Sequence, residues 1–379
     1  MGKAIEVASE LYPDINFKHS NFPDYIKAIK EKVPNDLAVV KGELTSQDTD
    51  GWSTLINCAS SHIYLKQMNR KCESALENGA EPVRVLSSVL GQNYPSDELE
   101  YSWKKLMQNH PHDSICCCSV DEVQDEMATR FNKSKQVADY LVSEGTRYIA
   151  DKINTKEYEK YKNALPFVVF NTTGRKRTSV VSVEIDVTRK SGWLKKCAYD
   201  LDEINVPNYK LIDSAGNSIP FKIEDLGVRF GYDLPKDKFR QPYMARRVRV
   251  TFEAENISAV GYKTYALVEG DAEKVTDTLV SGENCMENDA IRVEINKNGS
   301  LNVTDKASGR TYKGVAYYEE TGDLGNEYMY KMPEGSKAIT TQDTVAKIEL
   351  AEDEPYRAMY KITNTITVPK SGDDNSRTK

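Results

Sequence analysis

Asn109-His110-Pro111-His112-Asp113-Ser114-Ile115-Cys116-Cys117-Cys118-Ser119-Val120-Asp121-Glu122 gathers two of the four histidines, three of the seven cysteines and several carboxylates into one short stretch. Helical patterns flank it. Upstream, Leu99, Trp103, Leu106 and Met107 recur at helical spacing; downstream, Val123, Met127 and Phe131 step by four, and Ala138, Leu141 and Val142 continue that face. The stretch therefore reads as a corner between two helices. Ser119 with Glu122 has the form of a capping box, which predicts a helix from Val120 and leaves the polar residues upstream on a loop, with Pro111 stiffening the link between the histidines. A loop residue held between rigid helices can aim an imidazole and a carboxylate into a cleft. His112 and Asp113 can also do the commoner work of capping helices or bonding to backbone. A cysteine-based zinc cluster is disfavoured, because adjacent thiolates do not converge easily on one tetrahedral ion and no C-x-x-C pair accompanies them.

Outward from the corner, a long helix is predicted from Trp52 to Asn78, with Leu55, Ala59, His62, Leu65, Cys72 and Leu76 on one stripe and Asn78-Gly79 as its stop. On that stripe His62 reads as a packed histidine, not a ligand. A short helix near Val83 to Leu90, one from Ser96 to the corner and one from Val120 toward Tyr148 complete an expected antiparallel bundle of three principal helices. After Tyr161 the apolar period shortens to two. Phe167 to Phe170, Val180 to Val187, Arg247 to Phe252, Ile291 to Ile295 and Leu301 to Val303 read as strands, the last two joined by the turn Asn296-Lys297-Asn298-Gly299. Strands of that length between Gly, Asn and Pro turns favour an antiparallel β-sandwich.

Ahead of the bundle, residues 3 to 11 suggest a helix, Ile15 to Lys18 a strand, a helix capped by Asn21 runs to about Lys32, and Leu37 to Val40 form an apolar strand. This α/β rhythm is too short to close a sheet of its own. The tail from Lys370 to Ser376 is polar and is expected to be disordered. With 379 residues, 39% of them hydrophobic, two or three domains are expected; a net charge of -7 disfavours nucleic acid and anionic membranes as partners. No apolar run approaches membrane-spanning length. The odd cysteine count and the start Met1-Gly2-Lys3-Ala4, without a basic then apolar leader, point to a cytoplasmic location.

The run from Asn109 to Cys116, with Cys118 to Val123 and Glu126-Met127, closely resembles the middle segment of family 38 α-mannosidases, in their bacterial branch with mannosylglycerate hydrolases. The resemblance extends through Gly42-Glu43-Leu44, Tyr64 to Arg70, Pro166 to Thr172, and Gly322-Asp323 to Glu327-Tyr328. It implies that His112 is a ligand of the active-site zinc, that Asp113 touches the sugar bound there, and that Tyr328 contacts substrate. One position departs from the family. Cys117 stands where the family usually has glycine, which suggests a backbone angle that a side chain resists.

By the same resemblance, residues 1–48 are the last part of an α/β catalytic barrel, 49–155 a helical middle domain, and 156–379 a truncated β-sandwich domain. Family members are retaining hydrolases in which one carboxylate attacks the anomeric carbon and another serves as acid and base. The implied partner is an α-mannoside or mannosylglycerate-type sugar, and a homo-oligomer is left open. The family's His-x-Asp metal motif does not occur here: residues two places after His19, His62, His110 and His112 are Asn21, Tyr64, His112 and Ser114. The chain by itself is therefore expected to be inactive and to hold zinc weakly, its nucleophile and acid belonging upstream. The competing reading is a non-catalytic carbohydrate-binding or scaffold module derived from such an enzyme.

Overall fold

The computed structural model describes residues 2–34, 36, 37, 39, 56–204, 206–235, 237–273, 276–328, 330–373 and 376–378. The chain divides into two compact units, Met1–Thr49 and Asp50–Lys379. In the first, α1 (Gly2–Leu11) is followed by α2 (Phe22–Lys30), whose N-terminus is closed as expected by the Asn21 side chain accepting from the Asp24 amide at 3.0 Å. The expected strand at Ile15 to Lys18 is absent, since no described neighbour in this unit offers it a ladder. The predicted strand Leu37 to Val40, the Gly42-Glu43-Leu44 match and the helix start at Trp52 fall wholly or partly outside the described residues.

The second unit opens with helices α3 (Ile63–Ala75), α4 (Glu81–Val89), α5 (Ser96–Met107), the single turn α6 (His112–Ile115) and α7 (Asp121–Ala150). Leu65, Cys72 and Leu76 interlock with Leu99 and Leu106 and with Met127, Phe131, Ala138 and Leu141 of α7 in one apolar core. The long helix expected over Trp52 to Asn78 is divided differently. A short 3-10 turn, Ile56–Ala59, comes first, and α3 starts only after His62, whose φ of 45° breaks the stripe; His62 is exposed, against the expectation that it packs. Nor does Asn78-Gly79 stop the helix. Leu76–Ala80 makes one wide π-type turn that runs straight into α4. Pro82 has no N–H to offer the carbonyl four residues back, so the Asn78 oxygen is free to accept the Thr172 hydroxyl at 2.7 Å. Gly79 is there for closeness: a Cβ would lie 3.0 Å from Val142 of α7.

Beyond Ala150 the chain becomes β. The first four-stranded sheet has the order β1-β7-β3-β4, from β1 (Leu165–Asn171), β3 (Tyr209–Asp213), β4 (Ser218–Ile219) and β7 (Gly261–Glu269); a second has the order β2-β6-β5, from β2 (Arg177–Lys190), β5 (Phe221–Asp233) and β6 (Gln241–Ile257). Short helix α8 (Leu194–Asp202) packs on β6. Period-two alternation puts Val248, Val250, Phe252 and Ala254 on one side of β6, where they meet Tyr209, Leu211, Tyr265 and Leu267 of the other sheet in a common core. Phe252 and Tyr265 meet edge-to-face with ring centroids 4.8 Å apart, and Phe167 lies 5.9 Å from each.

A third sheet, β12-β11-β10-β9-β8, comprises β8 (Val280–Gly282), β9 (Cys285–Glu287), β10 (Ile291–Ile295), β11 (Leu301–Asp305) and β12 (Thr311–Val315). Pairs β13 (Glu319–Glu320) with β14 (Ile339–Thr340) and β15 (Lys347–Glu354) with β16 (Arg357–Thr363) follow. All pairings among the described residues are antiparallel. The tail read as disordered also pairs, β17 (Ser371–Asp373) with β18 (Ser376–Thr378), because a backbone ladder needs no apolar side chains.

Candidate functional site

The corner is built from the backbone outward. Asn109 is fully buried and donates from Nδ2 to the Met127 carbonyl at 3.1 Å, anchoring the end of α5 to α7. His110 Nε2 lies 2.8 Å from Asn69 Oδ1 of α3. Lys66 then holds the cysteine run, donating from Nζ to the Ser61 carbonyl at 2.6 Å, the Cys116 carbonyl at 3.3 Å and Cys117 Sγ at 3.2 Å. Cys117 is 2% exposed with φ at 62°. The angle is the one suggested by glycine's usual presence there, and it is held by the buried thiol and by Lys66.

The expected capping box does not form. Val120 precedes α7 with no side-chain cap, and Ser119 Oγ is buried without a hydrogen-bond partner. Gln124 takes over the work of closing the turn, donating from Nε2 to the Ser119 carbonyl at 2.9 Å and the Cys117 carbonyl at 3.3 Å. The helix begins one residue late because these two bonds, made from inside its first turn, already tie down the chain that a Ser cap would have held.

On this frame His112 occupies the first position of α6 instead of an open loop. Its Nε2 is 3.4 Å from Asp113 Oδ1, and the two side chains are 90% and 68% exposed. Cys118 Sγ lies 3.5 Å from the same Asp113 oxygen. A distant loop joins them. Gly322 to Tyr328 is braced by Asp323 Oδ1, which accepts from the Gly325 amide at 2.7 Å and the Lys331 amide at 3.0 Å, and by Asn326 Oδ1, which accepts from the Tyr328 amide at 2.9 Å. The nearby Cys118, with burial and the charges of Asp113 and Glu327, pushes the Tyr328 phenol up to about 12. From the other side, Cys58 Sγ donates to the Glu327 carbonyl at 3.4 Å. Burial and then the neighbouring Cys116 and Cys118 raise the Cys58 thiol, so it stays protonated.

Asp113 and Tyr328 are thus brought together, with His112 beside them. Cys58, Cys118 and Lys66 complete the patch and were not singled out from the sequence. Lys66 and Cys118 lie in the stretches that carry the family resemblance, whereas no sequence feature pointed to Cys58. The patch offers an exposed imidazole, a carboxylate acceptor and a protonated phenol, a set suited to hydroxyl-rich ligands.

Residues 53–149 match the alpha mannosidase middle domain, and residues 162–269 match the glycosyl hydrolases family 38 C-terminal domain 1. The chain carries the middle and first C-terminal domains of glycosyl hydrolase family 38. Among family 38 relatives, it is 41% identical over 387 residues to a Halalkalibacterium halodurans protein named "Putative mannosylglycerate hydrolase", covering 98% of this chain and 42% of that protein. The crystal structure of an alpha-mannosidase from Enterococcus faecalis V583 superposes with a TM-score of 0.81 at 42% identity, over 98% of this chain and 42% of that one. A second family 38 structure from Enterococcus faecalis has a TM-score of 0.79 at 39% identity, over 99% of this chain and 43% of that one. The chain therefore spans about two fifths of the length of these family 38 relatives.

The family implies zinc. Among the described residues no group of three or more His, Cys, Asp or Glu side chains is arranged to hold a metal ion. His112, with its ring largely in solvent, fits the part of a single ligand and no more. No helix among the described residues is long and apolar enough to cross a membrane.

Proposed function

We propose that this chain is part of a zinc-dependent retaining glycosidase of the cytoplasm that cleaves terminal α-mannosidic linkages, with mannosylglycerate-type sugars among its substrates. Residues 1–48 would close an α/β catalytic barrel, 49–155 form a three-helix bundle and 156–379 a β-sandwich. The observation that carries the reading is the meeting of Asp113 with Tyr328: two residues far apart in sequence, each assigned to substrate by family resemblance, share one patch with His112. The first unit supports it as well, for α2 leaves Phe22, Tyr25, Ile26 and Ile29 exposed, an apolar face that a completed barrel would bury.

In this reading His112 supplies one zinc ligand, and the ion, when bound, orients vicinal sugar hydroxyls and stabilises charge. Asp113 accepts a hydrogen bond from a sugar hydroxyl, and a charged acceptor is worth about twice a neutral one. Tyr328, protonated throughout the working range, donates to the sugar. Bond cleavage falls to the barrel's carboxylate pair.

Metal analysis and kinetics on the polypeptide that includes the barrel test the assignment. His112→Ala should lower zinc content and activity together, whereas Asp113→Asn should keep zinc and lose roughly tenfold or more in kcat, the equivalent of about 1.4 kcal/mol of transition-state stabilisation. Normal zinc in the His112 variant, or near-normal turnover in the Asp113 variant, removes that residue from the site. This chain assayed alone with an aryl α-mannoside and zinc should show no turnover; sustained hydrolysis would reveal a carboxylate pair within it.

A further inference from the structure

A cavity of about 370 Å³ opens where β3, β4, β6 and β7 approach the turn between β15 and β16, and it shares no lining residue with the His112 patch. Its size is within the range of small-molecule sites. Its polar groups divide into two sets. Asp213 is fully occupied by the Ala215 and Asn217 amides and the Asn217 side chain, and Tyr356 donates its hydroxyl to the Thr251 carbonyl at 2.7 Å. Glu253, Glu255, Lys263 and Tyr265 make no side-chain hydrogen bond or ion pair among the described residues.

Tyr265 is the telling member. It is 2% exposed, its ring is clamped against Phe167 and Phe252, and its hydroxyl faces the cavity without a partner. That hydroxyl is not among the fully solvent-excluded polar atoms, so the small exposed part of the residue reaches the cavity and can donate to a ligand oxygen. Burial and the charges of Asp213 and Glu255 push this phenol up to about 12, so it remains a donor. Glu253 and Glu255, two residues apart on β6, project to the same side and supply acceptors. Burial, then the charge of Glu255, raises the Glu253 carboxyl.

We infer that this cavity binds a neutral polyhydroxylated molecule of monosaccharide size, whose hydroxyls donate to Glu253 and Glu255 and accept from Tyr265 and Lys263. Other ligand classes meet only part of the set. An anion would face three carboxylates. A divalent cation lacks converging ligands, since no three acidic side chains here are arranged to hold one. An organic ammonium would satisfy the carboxylates, yet it would lie against Lys263 and leave the Tyr265 hydroxyl with nothing to donate to. A polyol carries both donors and acceptors, so it can meet the cavity's carboxylates as well as its Tyr265 and Lys263 donors, with Ile219 and Pro355 as an apolar wall.

The test is ligand-observed NMR on this chain with D-mannose, D-glucose and myo-inositol as probes, and calcium and spermidine as competitors. At least one polyol should bind saturably. Tyr265→Phe, which keeps the ring contacts, and Glu253→Gln should each weaken that binding roughly tenfold with an unchanged melting temperature, as loss of one buried hydrogen bond predicts. His112→Ala should leave it unaltered, which separates this cavity from sugar binding at the corner. Failure of all three polyols to bind, equal binding by the parent and both cavity variants, or displacement by calcium or spermidine at concentrations below the polyol's would each overturn the inference.

Discussion

On the β2-β6-β5 sheet Arg247 Nε donates to Asp186 Oδ1 at 2.6 Å, and Arg249 reaches Glu184 at 2.9 Å on one side and Glu224 at 3.3 Å on the other. At the corner His112 and Asp113 approach only to 3.4 Å, with 90% and 68% of their side chains in solvent. Charged side chains are abundant in both regions. On the sheet the ladder places opposite charges across from each other, Glu184 and Glu224 both paired with Arg249 in register, so each charge is answered by the fold itself. At the corner the backbone is tied down by Asn109, Lys66 and Gln124 while the His112 and Asp113 side chains stay largely in solvent. Rigidity beneath and free valence above is what a binding surface requires; mutual pairing is what a stable sheet requires.

Substitutions at four positions probe that contrast, beginning with the largest effect. Phe252→Ala empties the aromatic contact between the two sheets and should cost about 4 kcal/mol in urea unfolding. A loss below about 1 kcal/mol would mean that the sheets do not depend on a shared core.

Asp186→Ala should cost about 3 kcal/mol, because it leaves Arg247, Arg189 and the Tyr243 hydroxyl around a missing carboxylate that is only 6% exposed. Burial alone would raise the Asp186 carboxyl, but the hydrogen bond and charge of Arg247, then Arg189 and Tyr243, hold it below its ordinary value. A folded pKa below the unfolded one gives stability that is fully present above about pH 4 and is lost as pH falls through the folded value. Asp186→Asn should therefore flatten the acid limb of the stability curve, and an unchanged limb would show that the pairing carries no weight.

Cys117→Gly at the corner should change stability by less than about 1 kcal/mol, since relief of a left-handed backbone offsets the loss of a small buried thiol. Cys117→Val, β-branched at φ of 62°, should lose more than the glycine variant. Smallest of all, His112→Ala should alter unfolding by under about 0.5 kcal/mol, as expected of an exposed side chain. Marked destabilisation there would make His112 a structural residue and erase the contrast with the sheet.

The amino-acid sequence by itself determined the kinds of element and most of their places, because a helical or strand period is a local property of neighbouring residues. The Met127 and Phe131 face, the Asn21 cap, the strands around Val180 to Val187 and Arg247 to Phe252, and the corner at His110 to Cys118 were all legible in this way. The awkward backbone at Cys117 was signalled instead by the family resemblance, which has glycine there. Local reading failed where a distant partner decides the outcome. Gly79 looks like a stop until Val142 is seen to need the room, the Ser119 cap yields to Gln124, and His62 leaves the stripe when the chain breaks ahead of α3. The candidate site divides along the same line: His112 and Asp113 stand together in the chain, whereas the approach of Tyr328 and Cys58 exists only after the β region has folded back on the corner. Spacing along a chain records what neighbouring residues can do, and only packing records which remote groups meet.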